Sequence, residues 1–508
     1  MPLVRPLLCS ALLSAALAVG CGGGGDGSNA PAPVVTDGGP ATLPPPAATT
    51  SRADDWTRFG YDAARTNDAP SGLSVSVVRR LAERRVRLRG TVDSSPIYLS
   101  RARVRGRMRP LLVMTTTYGR TLGVNPRSGA TLWTFTPRSY PRLAGSAQIT
   151  TATPVADPTG RYVYASSPDG LIHKLRVSNG SQVRSRAWPA SVTRDPSHEK
   201  IASALNLSGR YLLVTTGGYL GDLPPYQGKV LAIDRRSGRV AHVLNSLCSN
   251  RRRIINPSSC GGQQSAIWGR AGAVVDPTSH RIYVTSSNGP FDGRTNWADS
   301  VLELSPGAVS LLRHWTPTTQ RQLAETDSDL GATSPALLPD PNGTRTRFLL
   351  QGGKDAKLRL LDLATSLFGV TAAAGRRLGG EAQEFTVVGD TTMFTAPAVL
   401  HRPGLTEAFV ATGGGTAAYR LSGGRLGVAW QNRRAGTSPV LAGDLLWVYD
   451  PNGGLNVYRA SDGSLVRRLS APSGHWNSPI VTGGRAFLPS GDANNHATQG
   501  TLSIYRVP

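Results

Sequence analysis

Short apolar runs that end in small or polar residues recur along the whole chain, and the clearest unit built around one extends from Thr91 to Phe135. It opens as VDSSPIYL at Val92, passes through an apolar run at Leu111 to Met114, and closes as YGRTLGVNPRSGATLWTF at Phe135. The continuous run Leu111 to Thr115 predicts a strand covered on both faces, and the alternation at Thr121 to Asn125 predicts another. Ser128-Gly129 predicts a tight turn before Leu132-Trp133. A unit of three or four short strands cannot bury its own faces, so it must be stacked against copies of itself.

The copies are present. The opening Ser95-Pro96 recurs as Thr153-Pro154, Ser203-Ala204, Ala266-Ile267, Ser334-Pro335, Ala396-Pro397, Ser438-Pro439 and Ser478-Pro479, eight openings in all. Each precedes an apolar run such as YVYASS at Tyr162, YLLVTT at Tyr211 or LLWVYD at Leu445, then an alternating strand such as KVLAIDRRSG from Lys229. This periodicity predicts an all-β, eight-bladed β-propeller of four-stranded antiparallel blades. The eighth unit ends at TLSIYRVP one strand short, while Leu81 to Leu88 precedes the first opening without a unit of its own. Pairing the two would complete the last blade and leave no free sheet edge.

Ahead of the propeller, Arg5 and the apolar stretch Leu7 to Val19 read as an export signal too short to span a bilayer. It ends LAVGC at Cys21, similar to a bacterial lipobox in which the cysteine is lipidated, with cleavage near Gly20 as the alternative. Residues 22–52 are Gly, Pro, Ala, Ser and Thr with almost no large apolar side chain, a disordered tether with a reach of roughly 30 Å. The expected organisation is therefore a signal at 1–21, a tether at 22–52 and one propeller domain at 53–508, exported and lipid-anchored to the cell envelope.

With 56 Lys and Arg against 32 Asp and Glu, the chain carries a formal charge of +24. RARVRGRMR, from Arg101, spaces Arg101, Arg103, Arg105, Arg107 and Arg109 two apart, which predicts one arginine-bearing side of a hairpin. Such a face suits anionic envelope polymers or lipid headgroups, or else is an exposed blade edge; nucleic acid is not expected for an exported monomer. Outside the signal and Cys21, the only cysteines are Cys248 and Cys260, which an oxidising compartment would join as a disulfide. No CxxCH, P-loop, GxSxG or HExxH pattern is present.

The opening DDWTRFGYDAARTNDAP from Asp54, the Ser-Pro starts and the recurring Gly, Leu, Ala, Asp, Thr-Gly, Trp rhythm resemble the pyrroloquinoline quinone (PQQ) repeats of quinoprotein alcohol dehydrogenases. They equally resemble those of BamB-like assembly lipoproteins. The resemblance covers roughly Trp56 to Pro508 and specifies fold better than activity.

Toward the dehydrogenases it implies particular residues. AIWGRAGAVVDPTSHRIYVTSSNGP places Trp268 as the floor under the quinone and Asn288 as a calcium ligand. HWTPTTQRQLAETDSDLGATSPALL places Asp329 as the catalytic carboxylate and a metal ligand, and LLQGGKDAKLRLLD places Lys354 against the cofactor. A cation on oxygen ligands polarises a quinone carbonyl, a carboxylate takes the alcohol proton, and a tryptophan stacks on the planar ring. Three departures stand out: the family's adjacent cysteine pair is absent, its glutamate ligand is replaced at best by Asp222, and Asn288 follows Ser287 instead of glycine. Two functions follow, a non-catalytic binding or scaffolding propeller working with envelope proteins, and a PQQ- and Ca2+-dependent alcohol dehydrogenase.

Overall fold

The computed structural model describes residues 54–70, 72–219 and 223–508, so Cys21, the tether and Asp222 lie outside the described residues. Eight sheets follow one another along the chain. The first blade consists of Ile97–Val104, Arg107–Thr115, Thr121–Val124 and Thr131–Phe135, paired antiparallel in that order. The innermost strands of the later blades are Val155–Ala156, Asn206–Ser208, Val274–Val275, Ala336–Pro339, Ala398–Arg402, Val440–Ala442 and Ile480–Thr482. Ala82–Leu88 pairs along its full length with Gly500–Arg506, from Ala82↔Arg506 to Leu88↔Gly500, and is the outer strand of the eighth blade. The expected closure is therefore the one observed. A closed ring of this kind exposes no long edge.

The turn glycine and the Trp of the repeat have a packing reason, seen at Asn179-Gly180 and Asp462-Gly463. Gly180, at φ +73°, lies so close beneath Trp133 of the preceding blade that an added Cβ would sit 2.5 Å from the indole. Gly463 lies against Trp430 in the same way, with a Cβ position 2.4 Å from the ring. Each turn glycine thus lets one blade dock on the indole of its neighbour, a close approach that only a residue without a side chain permits.

Four features depart from the sequence expectation. The fourth blade opens late: Ala266-Ile267 is not its start, since the inner strand begins only at Val274, and Arg270 carbonyl accepts from Ala204 N–H at the blade contact. The residues before Val274 instead contribute Ala266, Trp268 and Arg270 to the lining of a cavity. Two blades carry a fifth strand, Phe368–Gly369 beside Leu311–Trp315 and Asp68–Ala69 parallel to Val440–Ala442. The arginine hairpin is not one-sided. Arg105 and Gly106, both at positive φ, make a two-residue turn that pairs Val104 with Arg107, Arg103 with Met108 and Ala102 with Arg109. Cross-strand partners share a face, so Arg103 and Arg107 lie on opposite faces, and buried Ala102 and Val104 hold the inner one.

Finally, the segment from Asp54 to Ala69 is a ring within the ring. Its backbone bonds in turn to Tyr98, Ala156, Val275, Val399 and Leu441, on inner strands of the first, second, fourth, sixth and seventh blades. Buried Arg58 donates to Asn206 of the third blade (3.0 Å), and Asp54 carbonyl accepts from Thr482 of the eighth. It also reaches residues just before inner strands, Arg65 donating to Leu205 carbonyl at 2.9 Å and Asn67 to Pro397 carbonyl at 3.0 Å.

Candidate functional site

Side chains from loops that lead into inner strands, and from loops that follow second strands, converge on one cavity of about 760 Å³. Asp93, Lys200, Trp268, Arg270, Asp329, Phe394, His475 and Trp476 all precede inner strands. Asn288 follows Ile282–Thr285 and Lys354 follows Thr346–Gln351. The propeller places these loop ends around its axis at one mouth, so residues hundreds of positions apart become neighbours. Trp268, Asn288, Asp329 and Lys354, singled out from the sequence, do line the same cavity. Cys248 and Cys260 are bonded to each other in the connection between the third and fourth blades and take no part in it.

One pole of the cavity is a charged cluster. Asp329 carboxylate pairs with Lys354 ammonium at 2.6 Å and accepts Asn288 N–H at 3.0 Å. Lys354 also pairs with Asp327 at 3.1 Å, and Asp327 accepts from Asn288 Nδ2 at 2.9 Å. Burial raises the Asp329 carboxyl above its usual range although Lys354 opposes it; burial works to lower Lys354, but Asp329 and Asp327 together hold it above its usual range. Beneath lies Asp299, fully buried, whose carboxyl is held well above its usual range by burial although Leu330 N–H donates to it at 3.1 Å.

An aromatic arc runs from this pole to a second one. Lys354 Nζ stands 5.8 Å from the Trp268 ring centre. Trp268 is 6.0 Å from Phe394, and Phe394 is 4.9 Å from Trp476. Arg270 guanidinium then lies 6.0 Å from the Trp476 ring and donates to Asp93 Oδ1 at 3.1 Å. Asp93, which is wholly buried, further accepts from His475 Nδ1 at 2.7 Å, Trp476 N–H at 3.0 Å and Ala493 N–H at 3.1 Å. Burial works to raise this carboxyl, but Arg270 and His475 together hold it well below the usual carboxylate range. On the wall between, Lys200 makes no side-chain hydrogen bond or ion pair among the described residues, and burial pushes its ammonium down to about 8.

Asp93, Lys200, Arg270, Phe394, His475 and Trp476 were not among the residues singled out from the sequence. A usable signal existed. Asp93 stands two residues before Ser95-Pro96 and His475 three before Ser478-Pro479, both shortly ahead of a blade opening, as Asp329 stands five before Ser334-Pro335.

With the geometry in view, the comparisons with known proteins fall into place. Residues 90–243 match the family model described as outer membrane protein assembly factor BamB. No curated protein matches the sequence significantly. Among solved structures, the quinohemoprotein alcohol dehydrogenase of Comamonas testosteroni superposes with TM-score 0.65 at 15% identity, covering 91% of this chain and 81% of that one. A second quinohemoprotein alcohol dehydrogenase, ADHIIG of Pseudomonas putida HK5, gives 0.65 at 14% identity, over 90% and 80%. A europium-containing methanol dehydrogenase gives 0.65 at 13% identity, over 90% of this chain and 98% of that one. Likeness at such identity establishes the shared eight-bladed fold, and the repeat is common to both kinds of relative.

Proposed function

We propose that this propeller is a binding protein whose funnel takes a planar, polycarboxylate aromatic molecule of the pyrroloquinoline quinone class, without oxidising an alcohol on it. The observation that carries this reading is the combination of the Trp268 indole, Lys354 ammonium 5.8 Å from its centre and the Lys200 ammonium, which has no side-chain partner among the described residues, around one cavity of about 760 Å³. A flat anion matches this combination: the indole offers a stacking face, and the Lys200 ammonium offers charge. When bound, such a quinone supplies a two-electron acceptor. The chain's own residues would hold it flat on Trp268 and pair its carboxylates with Lys200.

The donor set does not fit the calcium ion that the dehydrogenase resemblance implies. Calcium takes six to eight oxygen ligands. Here the side-chain oxygens of Asn288, Asp327 and Asp329 are available, but the Lys354 ammonium already bridges the two carboxylates at 3.1 and 2.6 Å. The position of the family's glutamate falls near Gly217 to Gly228, where Asp222 lies outside the described residues and the described ones bring no carboxylate to the cavity. Both Asp329 oxygens are also already engaged, one by the Lys354 ammonium at 2.6 Å and the other by Asn288 N–H at 3.0 Å.

Equilibrium dialysis with PQQ, followed by quenching of tryptophan fluorescence, tests the proposal. Uptake of one PQQ per chain is expected, weakened about tenfold in Trp268→Ala and about tenfold in Lys200→Ala. Absence of uptake by the wild-type protein would overturn it. Alcohol-dependent dye reduction with PQQ and CaCl2, lost in Asp329→Ala, would establish the enzyme instead. The BamB-family match over 90–243 supports a scaffolding role at the envelope alongside ligand binding. Recovery of barrel-assembly components after crosslinking in membranes would support it, and their absence would count against it.

A further inference from the structure

The second pole of the funnel has no role in holding a quinone against Trp268, yet it is the more completely built of the two. Asp93 is buried and ionised, so both its oxygens can only accept, and His475 Nδ1 must be the donor in their 2.7 Å bond. That fixes the imidazole tautomer. Its other nitrogen, Nε2, has no hydrogen-bond partner among the described residues, while the ring forms part of the cavity wall. Trp476 packs on the imidazole at 4.6 Å between centres, and Phe394 continues the apolar surface toward Trp268.

We propose that His475 is an acid–base residue of this funnel: its Nε2 accepts a proton from a hydroxyl of an aromatic ligand lying along Phe394 and Trp476, with Asp93 as the positioning residue. The ligand's O–H bond breaks, its electron pair stays on oxygen, and the proton forms the Nε2–H bond. The resulting imidazolium faces the Asp93 carboxylate at 2.7 Å, with Asp492 at 3.6 Å, so the new positive charge is balanced where it arises. Arg270 lies at the same pole and attracts the oxyanion produced. A buried carboxylate that orients one imidazole nitrogen and leaves the other open is the arrangement general-base chemistry requires. Nothing in this depends on the identity of the molecule held at the Asp329 pole.

4-Nitrophenol is a suitable probe because its phenolate absorbs where the phenol does not. The full chain is titrated with it at a pH about one unit below the probe's own ionisation. In the wild type the bound probe should be largely phenolate; in His475→Gln the bound phenolate fraction relative to phenol should fall about tenfold. Histidine-selective 15N spectra should show His475 as the Nδ1–H tautomer, a preference lost in Asp93→Asn. Failure of the probe to bind, binding as the neutral phenol in the wild type, an unchanged phenolate fraction in His475→Gln, or an Nε2–H tautomer in the wild type would each overturn the assignment.

Discussion

Replacing Asp93 by Asn would test how the funnel is held together. Asp93 precedes the first blade, Arg270 the fourth, and His475, Trp476 and Ala493 belong to the eighth, so a single carboxylate fastens three blades at the mouth. It accepts at two points on each oxygen. Asparagine keeps one oxygen and presents an NH2 group to donors that need an acceptor. The Arg270 guanidinium, almost fully buried, would lose its counter-charge. Removing one partner of a buried pair costs about 3–5 kcal/mol because the other charge is stranded. For the propeller of residues 54–508, an unfolding entropy of about 2 cal/mol/K per residue gives about 1 kcal/mol per kelvin, so Tm should fall by about 3–5 °C. The folded-state pKa of Asp93 is depressed, so its stabilisation is present above the free value near 4 and is lost as pH falls below it. The gap between wild type and Asp93→Asn should therefore be widest at neutral pH and narrow on acidification. Calorimetry across pH 3–7 reads both effects, and Arg270→Gln should cost less in the Asp93→Asn background than in the wild type. A change in Tm below 1 °C at pH 7, or strictly additive single and double variants, would refute the reasoning.

Other consequences can be measured in the same melts. Gly180→Ala forces a Cβ to 2.5 Å from Trp133 at φ +73°, and overpacking plus backbone strain should cost about 2–4 kcal/mol; a neutral substitution would contradict the docking role of that turn. Cys248 and Cys260 close a loop with a sequence separation of 12, worth about 3 kcal/mol in chain entropy, so the Cys248→Ser/Cys260→Ser variant should melt lower and be cut faster within that loop. Burial pushes His173 and His314 down to about 4, so the folded state binds fewer protons than the unfolded chain between roughly pH 6.5 and 4. Stability should fall as pH drops through that window, and less steeply in a His173→Gln/His314→Gln variant; equal slopes would refute this.

The blades were legible because each carries its own record: an opening, a buried run, an alternating strand and a turn, all local in sequence. Closure was legible for a related reason, since one strand was missing at Pro508 and one was spare at Leu81 to Leu88. The fourth opening misled because Ile267 does accept from Ser203 of the third opening, as Ser478 accepts from Ser95, yet six residues without serine or proline separate it from the inner strand at Val274. The even arginine spacing misled as well. A two-residue turn reverses the parity of the returning strand, so equal spacing through Arg105-Gly106 cannot mean one face. The path of residues 54–69 was not legible because its partners are scattered round the ring, with backbone bonds to five inner strands and Arg58, Arg65 and Asn67 reaching Asn206, Leu205 and Pro397.

The two poles of the funnel differ in the same respect. Trp268, Asn288, Asp329 and Lys354 lie within a span covering the fourth and fifth blades, so their order could be compared with a family. Asp93 and His475 are 382 residues apart and meet only when the ends of the chain meet. The second pole is therefore a product of closure: Ala82–Leu88 and Gly500–Arg506 must zip together before the first and eighth blades can present Asp93 to His475. It follows that loosening the closing strand should disturb the imidazole tautomer before it disturbs Lys354 and Asp329, whose blades are neighbours in sequence. A chain shortened to begin at Gly90 should lose the His475 Nδ1–H signal while keeping the circular dichroism of the remaining sheets, and persistence of that signal would show that the eighth blade holds its place without the closing strand.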